Sequence, residues 1–131
     1  MQNKQNILNN QGLVKMVFLL LLLAVGIFSG YKILPLYYNF YELKGLMHAQ
    51  AYKSSVFTDQ DIRKNVYAKI VKLQIPIDDP SQIIINRVNG EIIIRYEYEE
   101  DFDVSYEDYY YLIYTFKFLA QESAEIPEKN N

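Results

Sequence analysis

Among the side chains that carry most enzyme chemistry, this chain of 131 residues holds one histidine, His48, and no cysteine. A nucleophilic triad needs a base and a group to orient it, and a zinc site needs three or four ligands. His48 has neither a Ser/Asp pair beside it nor a second histidine anywhere, so its expected role is structural or at the surface. The missing cysteines remove thiol catalysis, lipoprotein acylation, cysteine-held metals and disulfide staples together. After Gly45 the only glycine is Gly90, which leaves no glycine-rich loop to cradle a phosphate. The expectation is a protein that is not an enzyme, with no catalytic, cofactor-binding or metal-binding residues, no cofactor and no small-molecule substrate.

The one dense cluster of ionisable groups is "EYEEDFDVSYED", Glu97 to Asp108. Glu97, Glu99, Asp101, Asp103 and Glu107 take alternate positions, with Tyr98, Phe102, Val104 and Tyr106 between them. On a strand, alternate positions share a face, so the run would form a carboxylate ridge. Such a ridge could bind Ca²⁺ or dock a basic partner, but it lacks the glycine and oxygen spacing of a calcium loop. The preferred reading is a solvated face whose charges discourage strands from pairing edge to edge. Of the thirteen tyrosines, most are assigned to the membrane interface or to core-facing strand positions, where a phenol buries area and keeps its hydroxyl wet.

Charge is unevenly placed. Residues 1–36 carry Lys4, Lys15 and Lys32 and no acid, a net of +3, whereas the remainder nets −6. That is the pattern of a single-pass protein with a basic cytoplasmic end and an acidic outer domain. Nucleic acid is excluded as a partner, because phosphate binding needs a basic footprint.

These groups must be positioned by the elements around "KMVFLLLLLAVGIFSGYKILPLYYNFYELKG", Lys15 to Gly45. Sixteen uncharged residues separate Lys15 from Lys32, roughly 24 Å of helix against a hydrocarbon core of about 30 Å. Snorkelling of both lysines closes the gap, and Leu34 to Tyr41 then supplies an aromatic belt. A competing reading is a signal peptide cut at Ala24-Val25-Gly26. Cleavage there would leave Ile27-Phe28 and Ile33 to Tyr41 as an uncovered apolar N-terminus, so the permanent anchor is preferred. Lys32 and Lys44 lie on the far side of the span, but the acid-free N-terminus favours N-in.

Gly12-Leu13, the long apolar run, Gly26 and "ILPLYYNFYELKG" also resemble the N-terminal helix of type IV pilins and pseudopilins. That resemblance covers roughly residues 12–45 and implies processing after Gly12 and assembly as a minor subunit of a pilus or secretion machine. The glutamate such helices carry five residues past the cut is Val17 here, and Lys15 stands where they are apolar. Over most of its length the chain resembles a family of small bacterial single-pass proteins known as a domain of unknown function. The likeness rests on "LLLLLAVGIFSGYKILPLYYNFYELK", "DIRKNVYAKI" and "VNGEIIIRYEY". It implies an envelope location and no activity.

Beyond the span, Leu36, Phe40, Leu43, Met47 and Ala51 step by four or three residues, one stripe of a helix that continues to about Ser54. Pro35 can kink it and Gly45 weakens it. Thr58 predicts the N-cap of a second helix over residues 59–74, whose stripe is Ile62, Val66, Ile70 and Leu73. Pro76 and Pro80 bound a loop. "IIINRVNGEIIIRYEY" predicts a hairpin about Asn89-Gly90, pairing Val88 with Glu91, Arg87 with Ile92, Ile85 with Ile94 and Ile83 with Tyr96. Ile83, Ile85, Ile92, Ile94, Tyr96 and Tyr98 then share one face, with Arg87 the exception at its rim. "YYYLIYTFKFLA" is apolar on both faces and predicts a central or doubly covered strand.

The expected fold is α+β: an N-terminal transmembrane helix continuing into an amphipathic helix, then a second helix packed on a three-stranded antiparallel sheet. Expected boundaries are a polar cytoplasmic tail over 1–12, a transmembrane helix over 13–36, an extracytoplasmic (periplasmic) domain over 37–121 and a flexible tail over 122–131. The expected place is the bacterial inner membrane, single-pass, and the expected partners are the lipid bilayer and other membrane or envelope proteins. The expected function is structural or interaction-based, as an accessory component of an envelope complex. A pilin-like subunit and a secreted soluble binding domain are the alternatives.

Overall fold

A computed structural model describes residues 2–127, with side chains from Asn10 onward. Met1 and residues 128–131, the extremes of the two expected tails, lie outside the described residues. The fold is α+β, as the sequence predicts: α1 (Gln2–Tyr52), α2 (Asp59–Lys72), β1 (Ile84–Val88), β2 (Glu91–Tyr106) and β3 (Tyr109–Glu125). Two compact units divide it, Met1–Pro35 and Leu36–Asn131.

In the first unit α1 begins at Gln2, so most of the expected polar tail is helical. No proline precedes Pro35 and no glycine precedes Gly12, and a helix once nucleated adds residues cheaply. The helix also runs unbroken through Pro35, which sacrifices one backbone bond. From Leu13 to Phe28 every large apolar side chain is 47–67% exposed. Among the described residues one helix, within Asn10–Tyr52, is long and apolar enough to cross a membrane, with a mean hydropathy of 2.4 over its most apolar window.

In the second unit the expected stripes meet the sheet. Leu43, Met47 and Ala51 of α1, Ile62, Val66 and Ile70 of α2, and Ile83, Ile92 and Ile94 of the hairpin region are fully buried together. Leu36, Phe40, Leu73 and Ile85 pack at the margin. Burying each such side chain contributes about 1.5–3 kcal/mol, which makes this cluster the source of the unit's stability. Polar ties align the two helices: Lys69 Nζ lies 3.3 Å from Glu42, Asn65 donates to Gln50 Oε1 at 3.0 Å, and Asn39 donates to the Leu73 carbonyl at 3.2 Å. Thr58 caps α2 in a reciprocal box with Asp61, which satisfies N–H groups the first turn leaves open.

The sheet order is β1-β2-β3, all antiparallel. Asn89 and Gly90 carry φ of 55° and 74°, the two positive values a type I′ turn requires. Val88, Arg87 and Ile85 pair with Glu91, Ile92 and Ile94 as predicted. Ile83 stays outside the ladder, because its N–H bonds to the Pro80 carbonyl at 3.1 Å and closes a short 3₁₀ turn, Pro80–Gln82.

Two further expectations need correcting. β3 is an edge strand and β2 the central one: β2 meets both neighbours through two-residue turns, which seats one on each side of it. The tail expected from Glu122 is strand as far as Glu125, and the Ile126 N–H donates to the Gly90 carbonyl at 2.7 Å. Glu122 had disguised the inward alternation of Ala120, Glu122 and Ala124. It lies opposite Ile94 and is held at the core margin by Lys44, 3.7 Å away, and His48, 3.4 Å away.

Candidate interaction surface

β2 and β3 are 16 and 17 residues long, but the helices of the second unit cover only the part of the ribbon that carries the buried side chains. Tyr96, Tyr98, Phe118 and Ala120 close the core, and beyond Phe116 the two strands run on as a ribbon to a turn at Glu107-Asp108. Glu107 takes a φ of 54°, a conformation that favours glycine and costs a side chain roughly 1–2 kcal/mol.

Register assigns the faces of this distal ribbon. Residues directly opposite share a face, so Phe102 with Tyr114, Val104 with Tyr111 and Tyr106 with Tyr109 continue the face that inward forms the core. The ladder shifts between Phe102 and Asp103, which leaves Ile113 extra on β3, a bulge that bends the ribbon and strengthens its twist. Rings follow the assignment: Tyr109 stacks on Tyr111 at 6.3 Å and Tyr114 meets Phe116 edge-on at 4.8 Å. Toward the core the series continues through Phe118, Tyr98 and Tyr96, each 5.2–6.2 Å from the next. Tyr109 to Tyr114 are nevertheless 54–63% exposed.

The opposite face carries the carboxylates. Glu97, Glu99, Asp101 and Asp103 alternate along β2 as the sequence predicts, and Glu107 sits in the turn. Part of this ridge is engaged within the fold: Glu97 pairs with Arg95 and Asp101 accepts from the Thr115 hydroxyl at 2.9 Å, while Glu99 stands opposite Lys117 in the ladder. A hydrogen bond to Asp103 raises the Tyr110 pKa. Among the described residues no three His, Cys, Asp or Glu are grouped to hold a metal ion.

Two groups on the aromatic face are electrostatically unusual. Burial raises the Glu100 pKa above the usual carboxylate range, with Asp101 adding to it. Burial also raises Tyr98, followed by the charge of Glu100, and its hydroxyl has no hydrogen-bond partner. By contrast the Tyr96 hydroxyl donates to the Pro76 carbonyl. His48 is 64% exposed in its side chain, with Nδ1 3.4 Å from Glu122.

Arg87 shows a role that its position in the hairpin alone could not. Its guanidinium lies 2.6 Å from Asp59 and donates to the Ser54 carbonyl at 2.9 Å and the Phe57 carbonyl at 3.0 Å. It locks β1 to the α1–α2 loop, and the signal for it was a lone charge on an apolar face. Neither a family model, nor a curated protein, nor a solved structure matches the chain.

Proposed function

We propose that the chain is a single-pass membrane protein that holds a small non-catalytic α+β domain at the outer surface of the bacterial inner membrane, as an accessory component of an envelope complex. The observation that carries this reading is the uncovered apolar half of α1, whose Leu, Val, Phe and Ile side chains have no protein over them while the second unit closes a core of its own. Apolar area of that extent is stable in lipid and aggregates in water. The basic, acid-free N-terminal segment supports an N-in orientation. Its mechanism is positioning: confinement to a surface raises the domain's effective concentration for other membrane proteins. Likeness to the domain-of-unknown-function family is part of the same proposal. Alkaline washing of membranes tests it. The full-length chain is expected in the pellet, with residues 37–127 open to protease from the periplasmic side. Recovery of a soluble chain lacking the residues before Ile27 would overturn it.

A pilin-like subunit is the second reading, favoured by the unbroken passage of α1 from its apolar half into the half that packs on an antiparallel sheet. It requires a mature N-terminus at Leu13, so intact-mass measurement separates the two.

A further inference from the structure

We propose that the distal β2–β3 ribbon is a second membrane contact, an aromatic plate lying in the headgroup layer of the bilayer from which α1 emerges. This rests on the tethered reading above and adds a lipid-binding surface to it.

Position is the first observation. Within the second unit β3 runs back along α1. Glu122 lies at Lys44 and His48, Phe118 at Phe40 (5.2 Å) and Tyr37 (5.4 Å), and Phe116 at Tyr37 (6.0 Å). Each step from Glu122 to Phe116 therefore approaches the Leu36 end of the helix, the end joined through Pro35 to the apolar segment. Residues 109–115 precede Phe116 on the same strand, about 3.3 Å per residue.

Chemistry is the second. Tyr109 to Phe116, "YYYLIYTF", is eight residues without a charge, followed at once by Lys117 and preceded by Glu107-Asp108. The continuation of the core face beyond Glu100, which lies on it opposite Phe116, is Phe102, Val104, Tyr106, Tyr109, Tyr111 and Tyr114, with no ionisable group except tyrosine, while Asp101 and Asp103 lie on the other face. Phenols favour the headgroup layer, where the ring meets acyl chain and the hydroxyl meets water. The opposite face is acidic along β2 and carries exposed Tyr110, Leu112 and Ile113 along β3, so the β3 edge of the ribbon is the side that suits that boundary. Depth is limited by the turn. Carrying the Glu107 and Asp108 carboxylates into hydrocarbon would cost several kcal/mol each, so the plate stays at headgroup level.

The chain has no tryptophan, so one introduced indole reports one place. Full-length Tyr111→Trp, Phe18→Trp and Tyr52→Trp variants are reconstituted in phosphatidylethanolamine/phosphatidylglycerol vesicles. Emission is then measured with lipids brominated near the headgroup or deep in the chain, and with aqueous iodide. The expected result is a blue-shifted Tyr111→Trp emission quenched mainly by the shallow bromines. Phe18→Trp should be quenched by the deep bromines and Tyr52→Trp by iodide alone. Iodide quenching of Tyr111→Trp equal to that of Tyr52→Trp, with Phe18→Trp still quenched by lipid, overturns the plate and leaves the anchor standing. Shielding of Tyr111→Trp from iodide and lipid alike also overturns it, because protein then covers the ribbon. Loss of lipid quenching at Phe18→Trp overturns the anchor itself. Tyr109→Trp, on the same face, repeats the measurement if Tyr111→Trp does not fold.

Discussion

The inner and outer halves of the β2–β3 ribbon share one antiparallel ladder and similar aromatic side chains, and differ in what lies over them. Inward, Ile92, Ile94, Tyr96 and Tyr98 face Leu43, Met47, Ile62, Val66 and Ile70 in a single closed cluster. Outward, Tyr106, Tyr109, Tyr111 and Tyr114 carry the same face into the open. Strand formation and burial are therefore separable here. The ladder needs β-forming side chains and a turn, whereas burial needs helix length, and α2 is only 14 residues long.

The sharpest contrast is between equivalent truncations in the two halves. In detergent-solubilised full-length chain, Ile94→Ala should lower unfolding free energy by about 2–5 kcal/mol, through lost transfer energy and a cavity. Tyr111→Ala should change it by no more than about 0.5 kcal/mol, as expected at an exposed site. A large loss at Tyr111 would show that the outer half is packed after all. Next in size is Arg87→Ala, which strips the hairpin of its link to Asp59, Ser54 and Phe57 and should cost about 2 kcal/mol. Arg87→Lys should not rescue it, since an ammonium cannot span the same fork.

Smaller effects should divide the stacked pair Tyr96 and Tyr98. Tyr96→Phe removes a hydroxyl bonded to Pro76 and should cost about 1 kcal/mol, whereas Tyr98→Phe removes an unpartnered buried one and should stabilise by about 1 kcal/mol. Chemical denaturation of the two variants side by side checks the sign. The smallest effect lies where the halves meet. Glu100 has a raised pKa in the folded chain, so the fold binds this proton more tightly than the unfolded chain does. Its contribution is present at low pH and is lost as pH rises from the ordinary glutamate range through the folded value. Glu100→Gln should flatten that decline in a pH series of melting temperatures.

Much of the inner half was legible because several signals agreed. The spacing of Leu43, Met47 and Ala51, the Thr58 cap and Asn89-Gly90 each name a face or an end through local chemistry. The outer half was misread because apolar alternation reports what a strand could bury and says nothing of whether a helix reaches it. Tyr110 to Leu119 therefore suggest a central or doubly covered strand where the fold has an edge. At the C-terminal end the error ran the other way. Glu122 and Ser123 break the apolar pattern, yet the ladder with Ile94 and Ile93 and the ion pairs to α1 keep them in the sheet. The carboxylate ridge lies on one face of β2, and its Glu97–Arg95 pair is local to that strand, while the bond from Thr115 to Asp101 depends on cross-strand register that a single strand's pattern does not contain.

The way β3 leaves the domain has a mechanical consequence. Its Phe116 lies at Tyr37, near the Leu36 end of the second unit's helix, and its C-terminal end, where Ile126 is pinned to Gly90, lies near Tyr52. Tension between the helix entry and the C-terminus therefore pulls β3 lengthwise against β2. All sixteen Cα pairs of that ladder would bear load at once instead of parting one by one. A load carried in shear makes this small disulfide-free module a stiff strut whenever something downstream of Ile126 is tugged.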